Sequence, residues 1–353
     1  FPGNYVPEEI IFASGAIPIC LIDGGSLSAS DAGLSVVPNI ICPFARGLIG
    51  KKILEESPYY NMLDILVAPI VCRHLQKIAE VWEYYTDIEV FKLGVPHQYY
   101  GDLELEYYRD GLKRLKKTLQ SLTGNEITDK KISEAINLYN KMRSLLKSIS
   151  LMRREPDSPI STIDFVKLNH ASYYADPAFM VEELDKIHKE LKEAQQAAKE
   201  DTPRLLLLGP NLAYGDYQVL ELVESAGAEI VIEDLFEGMR YYWNVIENIG
   251  DLFQSLAKGY LRDREHCAFM RNSVKNRFEF ALKLISEYDV SGVIWYELLN
   301  CETYDSESYY FAQKMGERGI PMLILESDYS MAGIGQVRVR IEAFIEILKG
   351  GIA

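Results

Sequence analysis

Apolar and polar positions follow two kinds of pattern in the first part of the chain. Short apolar runs at 16–22 (AIPICLI), 62–72 (MLDILVAPIVC) and 89–96 (EVFKLGVP) predict strands, because each is bounded by polar or turn-forming residues. The stretches LIGKKILEE, after Cys42, and LQKIAEVWEYY, after Cys72, have helical spacing instead. Strands that alternate with helices predict βαβ units and a parallel sheet.

The middle of the chain has a different pattern, since apolar residues recur every three or four positions from about 102 to 200. The segment EPDSPIST, at 155–162, interrupts this periodicity with two prolines and several hydroxyl side chains. We therefore predict two domains. Residues 1–158 form an α/β domain with a helical extension, and residues 159–353 form a helical linker and a second α/β domain.

The last part of the chain returns to alternating strands and helices. Apolar runs at 204–211 (RLLLLGPN), 228–235 (AEIVIEDL), 290–301 (VSGVIWYELLNC) and 320–330 (IPMLILESDYS) each pass from a buried-type strand into polar or turn residues. The predicted fold class is α/β with parallel sheets in both halves.

Composition and charge narrow the classes of function. The chain has 353 residues, is 48% hydrophobic and carries a net charge of −15, and no cluster of Lys and Arg is long enough to follow a phosphate backbone. These features predict a globular protein that does not bind nucleic acid. The sequence has no apolar run of transmembrane length, and its first residues, FPGNYVPEEI, lack the features of a signal peptide. We therefore expect a cytoplasmic protein without a membrane partner.

The chain has five cysteines, which are scattered along it and form no CxxC pair, so neither a disulfide framework nor a zinc finger is indicated. Cys72 and Cys301 each follow a predicted strand, at the end where open parallel sheets bind ligands. Cys42 begins a predicted helix, where the helix dipole favours a thiolate. Three thiolates could hold an iron-sulfur cube with one open iron. Burial as ordinary core cysteines is the alternative, and the spacing does not decide between the two.

Several stretches together resemble one family of proteins. In order along the chain they are YVPEEIIFASGAIP, CPFARG at 42–47, the strand that ends in Cys72, the strand that ends in Cys301, and ESDYSMAGIGQVRVRIEAFIE at 326–346. They are similar to the landmarks of the iron-sulfur subunits of 2-hydroxyacyl-CoA dehydratases and benzoyl-CoA reductases, including the related double-cubane cluster proteins. The resemblance spans nearly the whole chain.

The resemblance implies two flavodoxin-like α/β domains, with a helical segment between them and a [4Fe-4S] cluster at their interface. The ligands corresponding to those of the family are Cys42, Cys72 and Cys301. Members work as homodimers or heterodimers of related subunits, and a separate ATP-dependent iron-sulfur activator supplies single electrons. In the dehydratases the acyl-CoA substrate is thought to react through a ketyl radical. These features are expected in an oxygen-sensitive enzyme of anaerobic metabolism.

Other residues have two possible roles each. Cys20 and Cys267 are further possible metal ligands, although burial in the core is the favoured role for both. Arg46 and Arg73 could contact the cluster or the coenzyme A moiety, or could be ordinary helix residues. Glu326 ends a predicted strand and could act as a general base or a polar contact.

Three functions remain open at this point. The first is an ATP-activated one-electron dehydratase or a low-potential CoA-thioester reductase. The second is a reductase that carries a double-cubane [8Fe-9S] cluster and acts on a small substrate without coenzyme A. It would need Cys20, Cys267 and a sixth donor, because the chain has only five cysteines. The third is a cluster-holding subunit that is not itself catalytic.

Overall fold

Parallel β-sheets occur in both halves of the computed structural model, which describes residues 1–55, 57–194, 202–330 and 333–350. The strands are β1 (Ile65–Ile70), β2 (Glu89–Gly94), β3 (Arg204–Leu208), β4 (Glu229–Asp234), β5 (Gly292–Leu298) and β6 (Met322–Ser327). In the described residues β1 pairs with β2, and the second sheet has the order β4-β3-β5-β6. The mixed α/β class with parallel sheets is thus confirmed.

Helices connect and cover the strands. They are α1 (Glu8–Ala13), α2 (Leu27–Gly33), α3 (Pro43–Leu54), α4 (Pro58–Asn61), α5 (Arg73–Tyr85), α6 (Asp102–Thr123), α7 (Asp129–Leu151), α8 (Thr162–Ala171), α9 (Pro177–Glu193), α10 (Gln218–Ser225), α11 (Met239–Tyr242), α12 (Leu252–Ala257), α13 (Val274–Glu287), α14 (Glu302–Gly316) and α15 (Ile334–Leu348). A 3₁₀ turn at Met152–Arg154 ends α7, and a π turn at Lys258–Arg262 follows α12. The predicted helical middle of the chain corresponds to α6 through α9.

The strand expected at 16–22 does not form, and this prediction was wrong. The segment is extended, but Pro18 has no N–H to give to a sheet. The backbone hydrogen bonds run instead from Cys20 N–H to the carbonyl of Tyr173 and from Leu21 N–H to the carbonyl of Phe1. Cys20, Leu21 and Ile22 bury the end of this irregular segment, whereas Ile17 is exposed.

Helix α3 is held close to the chain that precedes it by two glycines on one face. A Cβ at Gly50 would overlap the carbonyl oxygen of Ala29 in α2, and a Cβ at Gly47 would overlap that of Gly24. Glycine at both positions lets the backbones approach. This packing fixes the N-terminal end of α3, where Cys42 lies.

Buried ion pairs connect the helices of the middle segment to both halves of the chain. Arg143 in α7 lies 2.7 Å from Glu9 in α1, and Arg153 lies 2.6 Å from Glu233 in β4. All four side chains are almost fully buried. Because an unpaired buried charge is costly, these pairs fix how the helices sit against their neighbours.

Candidate functional site

Cys42, Cys72 and Cys301 have the same local position, since each is the residue directly before a helix. Cys42 precedes α3, Cys72 precedes α5 and Cys301 precedes α14. Two of these helices follow parallel strands, β1 and β5. Pro43 suits the first turn of α3, where its missing N–H needs no partner. The three thiols therefore lie where unpaired helix amides favour negative charge.

The three cysteines line one cavity together with a fourth, Cys267. The cavity has a volume of about 60 Å³, and most of its wall is apolar, including Phe44, Val71, Leu75, Phe269 and Leu298. Cys42 and Cys72 come from the first half of the chain, and Cys267 and Cys301 come from the second. The cavity thus joins residues that are far apart in sequence.

Cys267 is held by a polar network on the wall of the cavity. The Tyr304 hydroxyl donates to the Cys267 sulfur at 3.6 Å, and the Arg240 guanidinium donates to the Tyr304 hydroxyl. Arg240 also pairs with Asp234 at 2.8 Å. Cys20 lies elsewhere: it does not line this cavity, and its thiol faces the carbonyl of Gly3 at 3.8 Å.

The thiols are kept neutral by their surroundings. Burial raises the pKa of the Cys42 thiol to about 12 and that of the Cys72 thiol to about 11, and it raises the pKa of the Cys301 thiol well above its ordinary value. Neighbouring thiols add to the rise for Cys42 and Cys301. Amides of the following helix turn lower each pKa by less. A positively charged metal group would reverse the balance, because coordination deprotonates a thiol.

The cavity fits an iron-sulfur group better than a single ion. Within the described ranges, no three His, Cys, Asp or Glu side chains could together hold one metal ion. Cys42, Cys72 and Cys301 all line the cavity, as suits a cluster in which each thiolate binds a different iron and one iron stays open. Two other polar groups of the wall, the Asn211 amide nitrogen and the Glu237 carboxyl, are buried without a hydrogen-bond partner in the structure. Such groups indicate a site built for an occupant.

His74 connects the helix that follows Cys72 to the backbone of Cys42. The Cys42 N–H donates to His74 Nδ1 at 2.9 Å, so this ring nitrogen carries no proton. Burial lowers the pKa of His74, which favours the neutral ring that this contact requires. The neighbouring Arg73 forms an ion pair at 2.9 Å with Glu302, the residue after Cys301. These contacts link the segments around all three cysteines.

The other predicted site residues have different positions. Arg46 is buried in α3. Its charge opposes the rise that burial causes in the pKa of Cys42, and it adds to the fall that Ser330 causes in the pKa of Asp328. Arg73 is mostly exposed and engaged with Glu302. Glu326 is exposed and lines a separate hollow between β6 and α15, so the structure does not bring it to the cysteine cavity.

Sequence analysis missed Asn211 and Glu237 as lining residues. Asn211 follows β3 and Glu237 follows β4, so both lie beyond the carboxyl ends of parallel strands. The rule that pointed to Cys72 and Cys301 could have found them. Arg240, in the same stretch after β4, reaches the cavity wall through Tyr304.

Comparison with known proteins gives a consistent result. The family model for 2-hydroxyglutaryl-CoA dehydratase, D-component, matches residues 4–348. The chain is 25% identical over 351 residues to an Escherichia coli (strain K12) protein described as dehydratase subunit YjiM. It is 22% identical to the (R)-phenyllactyl-CoA dehydratase beta subunit of Clostridium sporogenes and 23% identical to a benzoyl-CoA reductase subunit of Thauera aromatica. Each alignment covers 98% of this chain and 89–90% of the relative.

Proposed function

Because the chain belongs to the 2-hydroxyglutaryl-CoA dehydratase D-component family, we propose that it is the iron-sulfur subunit of a 2-hydroxyacyl-CoA dehydratase or a benzoyl-CoA reductase type enzyme. The observation that carries the proposal is the single apolar cavity lined by Cys42, Cys72 and Cys301, each at a helix N-terminus. In this proposal the three thiolates hold a [4Fe-4S] cluster between two flavodoxin-like domains, 1–158 and 159–353. When bound, the cluster supplies low-potential electron transfer and a Lewis-acidic iron.

The protein's own residues would prepare the site for this chemistry. The helix amides beyond each cysteine stabilise thiolates, and the apolar wall excludes water that would weaken electrostatic interactions. The Asn211 amide donor is unpartnered in the cavity wall and could orient a carbonyl oxygen of the acyl-CoA thioester. The wall thus contributes binding and orientation as well as ligands.

The proposal includes partners. Two of the relatives are named as subunits of a dehydratase and of a reductase, which supports a homologous partner subunit in a homodimer or heterodimer. An ATP-dependent iron-sulfur activator would supply the electron. In the described part of the chain, no helix has the length and apolar character to cross a membrane. We place the enzyme in the cytoplasm of an anaerobic cell.

Iron and acid-labile sulfide on anaerobically purified protein test the cluster. We expect about four irons per chain, as for one cube, with the iron lost in Cys301→Ser. Cys20→Ser is the matched control, because Cys20 is a buried thiol outside the cavity, and it should keep its iron. About eight irons would instead favour the double-cubane alternative, for which the position of Cys267 at the cavity is the supporting observation. No iron at all would refute the cluster.

Turnover tests the reaction. The purified protein, with its partner subunit and a strong one-electron reductant, is assayed with 2-hydroxyglutaryl-CoA, (R)-phenyllactyl-CoA and benzoyl-CoA, the compounds in the names of the family and of two relatives. Water loss from a hydroxyacyl thioester would support a dehydratase, and reduction of benzoyl-CoA would support a reductase. A cluster without turnover of any thioester would support the subunit that only holds a cluster.

A further inference from the structure

Glu237 is a buried acid that the cluster does not need and that the fold leaves unpaired. It lies three residues after β4, is 2% exposed, and lines the cysteine cavity. Neither of its carboxyl oxygens has a hydrogen-bond partner on another residue, and the one donor close to the carboxyl is the backbone N–H of Glu237 itself. Among the described residues that line this cavity, it is the one acidic side chain. A carboxyl group kept dry and unpaired is costly, so its retention at this place indicates a use.

The backbone around Glu237 is fixed by side chains from other elements. The Glu237 carbonyl accepts hydrogen bonds from the Asn169 side-chain amide at 2.7 Å and from the Tyr173 hydroxyl at 2.9 Å. The preceding Phe236 N–H donates to the carbonyl of Pro210 at 2.7 Å. These contacts fix the backbone of Glu237 beside the cavity that the residue lines.

The surroundings of Glu237 keep it protonated. Arg240 is the cation that acts on it, but that guanidinium is already engaged with Asp234 and the Tyr304 hydroxyl. Burial raises the pKa of Glu237 to about 8, with smaller opposing effects from its own amide and from Arg240. A neutral carboxylic acid in an apolar cavity can donate a hydrogen bond or a proton to a bound oxygen.

We propose that Glu237 is a catalytic residue that gives its proton to the hydroxyl group leaving a 2-hydroxyacyl thioester bound in this cavity. This inference rests on the proposed function. In the dehydration the C2–O and C3–H bonds break, the C2=C3 double bond forms and one water leaves, with no net oxidation or reduction. The Glu237 O–H bond breaks as the hydroxyl becomes water. The carboxylate that remains accepts the proton released from C3, which restores the acid.

The unpartnered Asn211 supports this assignment independently. Asn211 lines the same cavity from the end of β3, is 5% exposed, and its amide nitrogen has no acceptor in the structure. A donor from Asn211 and an acid from Glu237 match the two oxygens of a 2-hydroxyacyl thioester, the carbonyl and the hydroxyl. Glu326, the base expected from the sequence, is exposed in a different hollow.

The test compares Glu237→Gln with Asp216→Asn in the complete, cluster-loaded enzyme. Asp216 is a matched control, because it is a buried carboxyl whose pKa is raised to about 6 and it does not line the cavity. Its amide variant can still accept the hydrogen bond from Tyr296. The measurements are iron content, affinity for a 2-hydroxyacyl-CoA thioester, and kcat for water loss.

We expect Glu237→Gln to keep its iron and its thioester affinity within about twofold while kcat falls by about 10²–10⁴-fold, the usual contribution of a general acid. Glu237→Asp, which keeps a carboxyl, should recover part of that loss, and Asp216→Asn should stay within about threefold of wild type. An unchanged kcat in Glu237→Gln would overturn the assignment.

The other outcomes separate this inference from the function on which it rests. Loss of iron or affinity in Glu237→Gln, in parallel with kcat, would refute proton transfer in favour of a structural role. A wild-type enzyme that reduces benzoyl-CoA but dehydrates no hydroxyacyl thioester would overturn the proton cycle and leave the proposed function standing. Wild-type protein without iron or turnover would overturn both.

Discussion

Glu237→Gln should stabilise the protein, and the gain should depend on pH. The carboxyl has an ordinary pKa of 4.5, and burial raises it to about 8 in the folded chain. Below pH 4.5 the carboxyl is protonated in both the folded and the unfolded chain, so its ionisation does not change the free energy of unfolding. As the pH rises through the interval from 4.5 to 8, the unfolded chain ionises while the folded chain holds its proton, so wild type loses stability.

The magnitude follows from the same interval. Each pH unit corresponds to about 1.36 kcal/mol, so wild type should lose about 3 kcal/mol by pH 7 and about 5 kcal/mol above pH 8, relative to a variant without this carboxyl. The side chain is fully buried, so solvent screening does not reduce the effect much. The free energy of unfolding in urea, measured from about pH 5 to about pH 8.5 for wild type and Glu237→Gln, gives the difference at each pH.

Asp216→Asn is again the control, because its pKa of about 6 confines its effect to lower pH. The difference in free energy of unfolding between Asp216→Asn and wild type should stop growing near pH 6. The corresponding difference for Glu237→Gln should keep growing to about pH 8. Parallel stability curves for wild type and Glu237→Gln would mean that the carboxyl is hydrated or paired, contrary to its burial in the fold.

Three further substitutions test the frame of the site. Gly50→Ala should destabilise the protein by about 1–3 kcal/mol in urea unfolding, because the added Cβ overlaps the backbone of α2; an unchanged midpoint would contradict that packing. Arg153→Ala should cost about 3–5 kcal/mol in the same assay, because it leaves Glu233 charged and buried, and a loss below about 1 kcal/mol would argue against the buried pair. Arg73→Ala should change stability by less than about 1 kcal/mol, since its ion pair is exposed, and it should leave the iron content unchanged; loss of iron would assign Arg73 to the cluster site.

Strands that depend on the local pattern of apolar residues could be predicted from the sequence. Strands β1 through β6 formed where short apolar runs predicted them, and β1, β3, β4 and β5 are buried on both faces, as is typical of parallel strands. The run at 16–22 has the same composition but no strand partner, and its backbone bonds to distant loops. Whether an apolar run joins a sheet depends on which neighbours are available, and local composition does not contain that information.

The site shows the same division between local and distant information. The positions of Cys72 and Cys301 beyond their strands could be predicted, because strand direction is a local property. The place of Cys267 at the same cavity could not be predicted, because its contacts with Tyr304 and, through Tyr304, with Arg240 join residues that are far apart in the sequence. Glu326 also ends a strand, but it lines a separate hollow, so its predicted role as a base stays a prediction.

The cysteines that line the cavity come from both halves of the chain, and three of them share a position at the start of a helix. A buried cluster would need thiolates that are stabilised by a local positive potential. Helix N-termini supply that potential without a charged side chain. Strands β1 and β5 lead into α5 and α14, and α3, which follows no strand, adds a third helix start at the cavity. The exposed ion pair of Arg73 and Glu302 joins the starts of the last two helices.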